Sequence, residues 1–152
     1  MKCITKYLLP AIAILAVLAL AGAQAETPTK QEEFTMRITI GEYVFDAALE
    51  DNPAANALSE HLPLELKMSE LNGNEKYNYL DFELPTDVYS PGQIQAGDIM
   101  LYGDSCLVVF YESFSTPYRY TKLGHIEDVT DLRDAVGRGS IRMLFEIPEA
   151  EE

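Results

Sequence analysis

An antiparallel β-barrel, closed or nearly so and carrying two short helices, is the fold class that the sequence predicts. Three observations predict it. Apolar and polar residues alternate at period two through most of the chain, as half-buried strands require. Turn formers such as Asn72-Gly73 and Gly103-Asp104 separate these runs at short intervals. Only two short segments read as helical, and neither is placed to make a βαβ rhythm. The total is about eight strands, and closing them into a barrel removes exposed edges. A β-sandwich is the alternative that the same strands permit.

Residues 1–25 read as a cleavable secretory signal peptide. Lys2 and Lys6 precede an apolar run, Leu8 to Leu20, interrupted only by Pro10, and Ala23-Gln24-Ala25 sets small residues before Glu26. The apolar run of about 13 residues is short for a membrane span, which takes roughly 20; an uncleaved anchor is the alternative. Cys3 precedes the apolar run, which argues against a lipoprotein cleavage site. The expectation is therefore export, to the periplasm or the cell exterior. Residues 26–33 read as a flexible lead-in, 34–146 as one domain and 147–152 as an acidic tail.

Within the domain, Phe34 to Ile40 alternates and Gly41-Glu42 turns it into a second strand, Tyr43 to Leu49. Asp51 or Asn52 before Pro53 is a helix start, because proline suits the first helical turn. Ala54, Ala57, Leu58 and Leu62 share one face of that helix, and Pro63 stops it. Leu64, Leu66 and Met68 then alternate with polar neighbours. Asn72-Gly73 predicts a type I′ hairpin turn, with a return strand from Lys76 to Phe82. Residues 83–96 read as a loop. Strands follow over Asp98 to Tyr102, Ser105 to Tyr111 and Pro117 to Gly124. A short helix is expected over 131–136, capped by Thr130 and ended by Gly137, and Ser140 to Glu146 is the last strand.

Charge narrows the partners. The full chain has 25 acidic and 11 basic residues, a formal charge of −14. Loss of Lys2 and Lys6 with the leader leaves nine basic residues and −16. Such a body repels nucleic acid, whose phosphates require clustered Lys and Arg, and also anionic lipid. Cleavage also removes Cys3, leaving Cys106 as the single cysteine, so an internal disulfide is excluded. The strand around Cys106 reads as buried, with the thiol acting as a small hydrophobe.

Several segments carry a family likeness: Leu62-Pro63-Leu64-Glu65-Leu66-Lys67-Met68-Ser69-Glu70-Leu71-Asn72-Gly73-Asn74-Glu75-Lys76-Tyr77, Gly97-Asp98-Ile99-Met100-Leu101-Tyr102-Gly103, the run from Leu107 to Thr116, and Tyr118-Arg119-Tyr120-Thr121-Lys122-Leu123-Gly124. Over roughly residues 36–146 the chain resembles a bacterial family described as cyclophilin-like. The resemblance implies an eight-stranded barrel with a helix near each end, in agreement with the strand reading. It does not carry function. Cyclophilins proper are peptidyl-prolyl isomerases with an Arg, a Phe five residues later and a Gln eight residues after the Arg. Five residues after Arg37, Arg119, Arg133, Arg138 and Arg142 stand Glu42, Gly124, Arg138, Met143 and Ile147. The usual isomerase set is not found.

Other chemistries fare no better. Gly103-Asp104-Ser105 matches the opening of an esterase motif, but it joins two strands and no His lies three residues after an Asp, so it reads as a hairpin turn. His61, His125 and Cys106 form no metal-ligand spacing. No cofactor and no metal are expected.

The informative feature is aromatic density. Tyr102, Phe110, Tyr111, Phe114, Tyr118 and Tyr120 fall within 19 residues. Alternation puts Tyr118 and Tyr120 on one face, opposite Arg119. The candidate ligand-binding residues are Phe114, Tyr118, Arg119, Tyr120, Tyr77 and Tyr102, forming a groove for a peptide or a small apolar ligand. Core packing and cross-strand tyrosine pairs are the alternative for these aromatics. Glu75 and Lys76 either line the same groove or form a solvated hairpin end. Three functions follow as expectations: a ligand-binding module, a divergent prolyl isomerase using Arg119, or a structural or assembly protein.

Overall fold

A computed structural model describes residues 34–149. Residues 1–25, expected as a signal peptide, residues 26–33, expected as a lead-in, and residues 150–152 lie outside the described residues. In chain order the elements are β1 (Thr35–Ile40), β2 (Tyr43–Leu49), α1 (Pro53–Glu60), β3 (Leu64–Leu71), β4 (Glu75–Tyr79), β5 (Gln93–Ile94), β6 (Asp98–Tyr102), β7 (Cys106–Phe110), β8 (Phe114–Ser115), β9 (Thr121–Ile126), α2 (Leu132–Val136) and β10 (Ile141–Glu146). Eight strands close a barrel in the order β1-β10-β3-β4-β7-β6-β9-β2, while β5 and β8 pair separately. Every pairing is antiparallel. The predicted eight-stranded antiparallel barrel with two short helices is what the chain forms. No helix among the described residues is long and apolar enough to cross a membrane.

Alternation builds the interior. Met36, Ile38 and Ile40 of β1, Leu107 and Val109 of β7, and Met143 and Phe145 of β10 are buried in one cluster. Ala54 and Leu58 of α1 and Leu132, Ala135 and Val136 of α2 pack on that cluster. Asn52 is the N-cap of α1: its Oδ1 accepts from the Ala55 N–H at 2.8 Å, and its Nδ2 donates to the Lys122 carbonyl at 2.8 Å. One side chain thus starts the helix and pins it to β9. Asn72 and Gly73 both have positive φ, 56° and 69°, as the type I′ turn requires. Gly124 has the Ala48 carbonyl oxygen 2.5 Å from where a Cβ would stand, so only glycine lets β9 close on β2 there.

Every residue of β7 is buried, which one barrel interior cannot explain. Leu107 and Val109 face inward, while Cys106, Val108 and Phe110 face out into a second cluster with Ile94, Met100 and Tyr120. The cover for that outer face comes from residues 83–96 and 111–120. They are joined by the β5–β8 pair and by a bridge in which Tyr89 and Tyr120 exchange backbone hydrogen bonds of 2.9 and 3.0 Å.

This cover accounts for two departures from the sequence reading, and local bonds for the rest. The loop predicted over 83–96 contains β5, too short for periodicity to reveal. The strand predicted over Pro117 to Gly124 lies at Thr121–Ile126 instead. Pro117 has no N–H to give a ladder, and the Tyr120 backbone is taken by Tyr89. At its other end β9 continues past Gly124 because Ala47 and Ala48 pair with Ile126 and His125. β4 ends at Tyr79, before the predicted Phe82: the Leu80 N–H still donates to the Ser105 carbonyl at 2.8 Å, but the next bond to this edge, to the Asp104 carbonyl, comes only from the Leu84 N–H at 2.8 Å, so the register is lost between them. Thr130 does not cap α2. Its N–H and hydroxyl both donate to Asp128 Oδ1, and Asp131 is the N-cap residue without a side-chain bond.

Candidate functional site

The barrel's outer face over β4, β7 and β6 carries two registered rows. Tyr77 of β4 pairs with Val108 of β7, which pairs with Met100 of β6; Tyr79 pairs with Cys106, which pairs with Tyr102. Side chains at these positions project to the same side of the sheet. Val108 and Cys106 form a floor, Tyr77 and Tyr79 stand on one side, and Tyr102 stands on the other. The covering segment adds Phe114, Tyr118 and Tyr120. Together they line a cavity of about 310 Å³, closed at one end by Leu71, Asn72, Asn74 and Glu75 from the β3–β4 hairpin.

The aromatic rings brace one another. Tyr102 meets Tyr118 edge-on at 6.2 Å and Tyr120 at 5.7 Å. Phe110, beneath them, meets Phe114 and Tyr120 at 5.6 Å each. Tyr77 and Tyr79 form an edge-to-face pair at 6.1 Å. Such pairs add about 0.5–1.5 kcal/mol beyond area burial, so the walls hold their shape. Tyr79 and Tyr118 are exposed at the rim, Tyr120 is buried, and Tyr77 and Phe114 are half-buried.

Five of the six sequence-predicted residues therefore come together: Phe114, Tyr118, Tyr120, Tyr77 and Tyr102 all line the cavity. Arg119 does not. Alternation turns it away, and its guanidinium donates to the Val88 carbonyl at 3.3 Å. Glu75 and Lys76 separate as neighbours on a strand must. Glu75 lines the cavity; Lys76 points into the barrel and is fully buried, not at a solvated hairpin end. The alternatives of groove and core divide likewise: Phe110 and Tyr111 are packing residues, and the others form the cavity. Sequence reasoning missed Tyr79, although the strand predicted from Lys76 already placed it on the face of Tyr77. It also missed Val108, Cys106 and the hairpin residues, because only the cover, formed by distant segments, makes their face a cavity.

Polarity is concentrated at the hairpin end. Glu75 is half-buried, and among the described residues its carboxylate has neither a hydrogen bond nor an ion pair. Burial, and then repulsion from Glu70, push its pKa up to about 7. The Oδ1 of Asn74, at the same end, is buried without a hydrogen-bond partner. Burial, with the Glu75 charge second, raises the Cys106 thiol to about 11, so it is protonated and unreactive at neutral pH. Among the described residues no Lys, Arg or His lines the cavity. Among the described residues there is also no group of three or more His, Cys, Asp or Glu that could hold a metal.

Comparison with known proteins gives one family and one structure. The family model described as "Cyclophilin-like family" matches residues 38–146. The solution structure of a hypothetical protein from Archaeoglobus fulgidus is similar at a TM-score of 0.48 and 14% identity, over 80% of this chain and 100% of that one. No curated protein matches the sequence.

Proposed function

We propose that this chain, which belongs to the cyclophilin-like family, is a binding module that holds a small ligand or a peptide side chain in the aromatic cavity on the outer face of its barrel. The observation that carries this reading is convergence. Residues from β4, β6, β7 and the covering segment, far apart in sequence, build one braced cavity of about 310 Å³, at the lower end of the range for ligand sites. Core packing alone does not require exposed tyrosines around an open space. The isomerase alternative receives no such support, because Arg119, the cation proposed for it, faces Val88 and not the cavity.

A thermal-shift screen of small amines, alcohols and short peptides tests the site. Hits on the wild-type protein are expected to lose most of their shift in Tyr118→Ala and in Phe114→Ala. Tyr118 is exposed and Phe114 half-buried, so Tyr118→Ala disturbs the fold less of the two and reads binding more directly. Ligand-induced shifts that survive in both variants count against this cavity.

Export belongs to the same reading, supported by the order of basic, apolar and small residues over 1–25. Protein recovered from outside the cytoplasm is expected to begin at Glu26 when its N-terminus is sequenced. An intact Met1 in that fraction would overturn cleavage, and recovery from the cytoplasm alone would overturn export.

A further inference from the structure

The geometry points to an organic ammonium group as what the aromatic cavity recognises. The inference rests on the binding reading above and names the ligand's chemistry.

Three observations carry it. First, the cavity walls are electron-rich rings. Tyr77, Tyr79, Tyr102, Tyr118, Tyr120 and Phe114 surround it, and the faces of such rings attract cations through their quadrupoles. Second, the charged group in the lining is Glu75, half-buried and, among the described residues, without a cationic partner. The neighbouring cation, Lys76, is committed to the opposite face of the strand, where it binds Glu70 and the carbonyls of Gly137 and Gly139. A half-buried carboxylate without a partner either takes up a proton or gains a counter-charge, and a cationic ligand would supply the counter-charge. Third, the buried Oδ1 of Asn74 has no donor, and its uncancelled partial charge adds to the negative potential at the Glu75 end.

The alternatives fit worse. An anionic ligand meets Glu75 with no counter-charge among the described residues of the lining. A neutral ligand desolvates that carboxylate and gives nothing back. A cation gains from both the carboxylate and the rings, and the chain's formal charge of −14 draws cations toward the protein. The cavity volume suits one small head group such as trimethylammonium or the end of an alkylamine. That chemistry is presented by a free small amine or by a lysine side chain of a peptide.

Calorimetric titration at pH 8, where Glu75 is ionised, tests the inference. The ionisable neighbours Glu70, Cys106, Tyr111 and Tyr120 are coupled to Glu75; those with raised values keep their protons at this pH. The probes are choline, Nα-acetyl-lysine methylamide and 3,3-dimethylbutan-1-ol, the neutral isostere of choline. At least one of the two cations is expected to bind, with the isostere at least tenfold weaker. Glu75→Gln, nearly isosteric and checked for native structure, is expected to weaken the cation at least tenfold and to leave the isostere no weaker, because the cost of desolvating the carboxylate is gone. Tighter choline assigns the site to a free small ammonium; tighter acetyl-lysine methylamide assigns it to a peptide lysine. An isostere that binds as tightly as choline, or a cation affinity unchanged in Glu75→Gln, overturns the ammonium assignment while leaving the cavity a binding site. No binding by any of the three probes overturns the ammonium assignment as well. Loss of the binding reading itself additionally requires that the wider screen yield no ligand sensitive to Tyr118→Ala.

Discussion

Lys76→Met is expected to destabilise the barrel by about 2–4 kcal/mol, read from urea denaturation at pH 7. The Lys76 side chain is fully buried; its ammonium donates to the Gly139 carbonyl at 2.6 Å and the Gly137 carbonyl at 3.2 Å, and forms an ion pair with Glu70 Oε2 at 2.5 Å. It also lies 5.4 Å from the centre of the Tyr111 ring. Glu70 is held in turn by the Tyr111 hydroxyl and the Gly73 N–H, both donating to Oε1 at 2.8 Å. The network ties the tip of the β3–β4 hairpin to the chain that leaves α2. Methionine fills similar volume but leaves a carboxylate unpaired and two carbonyls without a donor, which is the costly way to break a buried pair. Glu70 keeps partial access to water, so the lower part of the range applies if water reaches it. A loss under about 0.5 kcal/mol, ordinary for a surface substitution, would mean that the network does not hold the hairpin.

The pH dependence separates this network from the cavity beside it. Burial alone would push the Glu70 carboxyl up, but the hydrogen bonds from Lys76 and Tyr111, the Lys76 charge and the Gly73 N–H outweigh it and hold the group below its usual range. An acid depressed on folding stabilises the native state above its unfolded pKa, and that stability is lost as pH falls through the folded value. Glu75 works in the opposite sense. Its folded value of about 7, against 4.5 unfolded, makes the native state bind the extra proton, so stability falls as pH rises from 4.5 through 7. Lys76→Met should therefore shrink the acid limb of the stability curve that belongs to Glu70. The neutral limb should remain, since burial and Glu70 shift Glu75, and Lys76 does not.

What the sequence disclosed and what it withheld follow from range. The Asn72-Gly73 turn, the Asn52-Pro53 helix start and the inward alternation of β1 and β10 are local rules, and each holds. Tyr118 and Tyr120 on one face with Arg119 on the other is also a local rule, and it survives although that stretch is not in a barrel strand. The cavity is not local. It exists because residues 83–96 and 111–120 fold over β7, and the pair that joins them, β5 with β8, is two residues long on each side. Glu75 shows the limit most clearly. Its strand position puts it on the Tyr77 face, but its having no partner among the described residues depends on where Lys76 and the distant glycine carbonyls go.

Phe110→Ala is expected to cost about 3–5 kcal/mol, the range for truncating a buried Phe, and to fall first on the cavity's cover. Phe110 has no exposed surface and lies at the centre of the outer cluster, against Phe114 and Tyr120. That cluster is small: Ile94, Met100, Cys106, Val108, Phe110 and Tyr120 form its buried part. Removing the ring takes away the support on which two cavity walls rest, while the inward residues of the same strand, Leu107 and Val109, keep the barrel core. Leu107→Ala is the control, since it removes core packing of comparable scale, about 2–5 kcal/mol, without touching the cover. Amide hydrogen exchange tells the two apart. The Thr116 N–H, bonded to Gly92, and the Tyr89 and Tyr120 N–H groups, bonded to each other's carbonyls, report on the cover. Amides between β1 and β10 report on the barrel. Phe110→Ala should lose protection in the cover well before the barrel, because local opening follows the contacts that are removed; Leu107→Ala should lower both together. Equal loss across cover and barrel in Phe110→Ala would show that they open as one unit. The cavity would then be as rigid as the barrel itself, and its ligand would be admitted without movement of the Phe114 and Tyr120 walls.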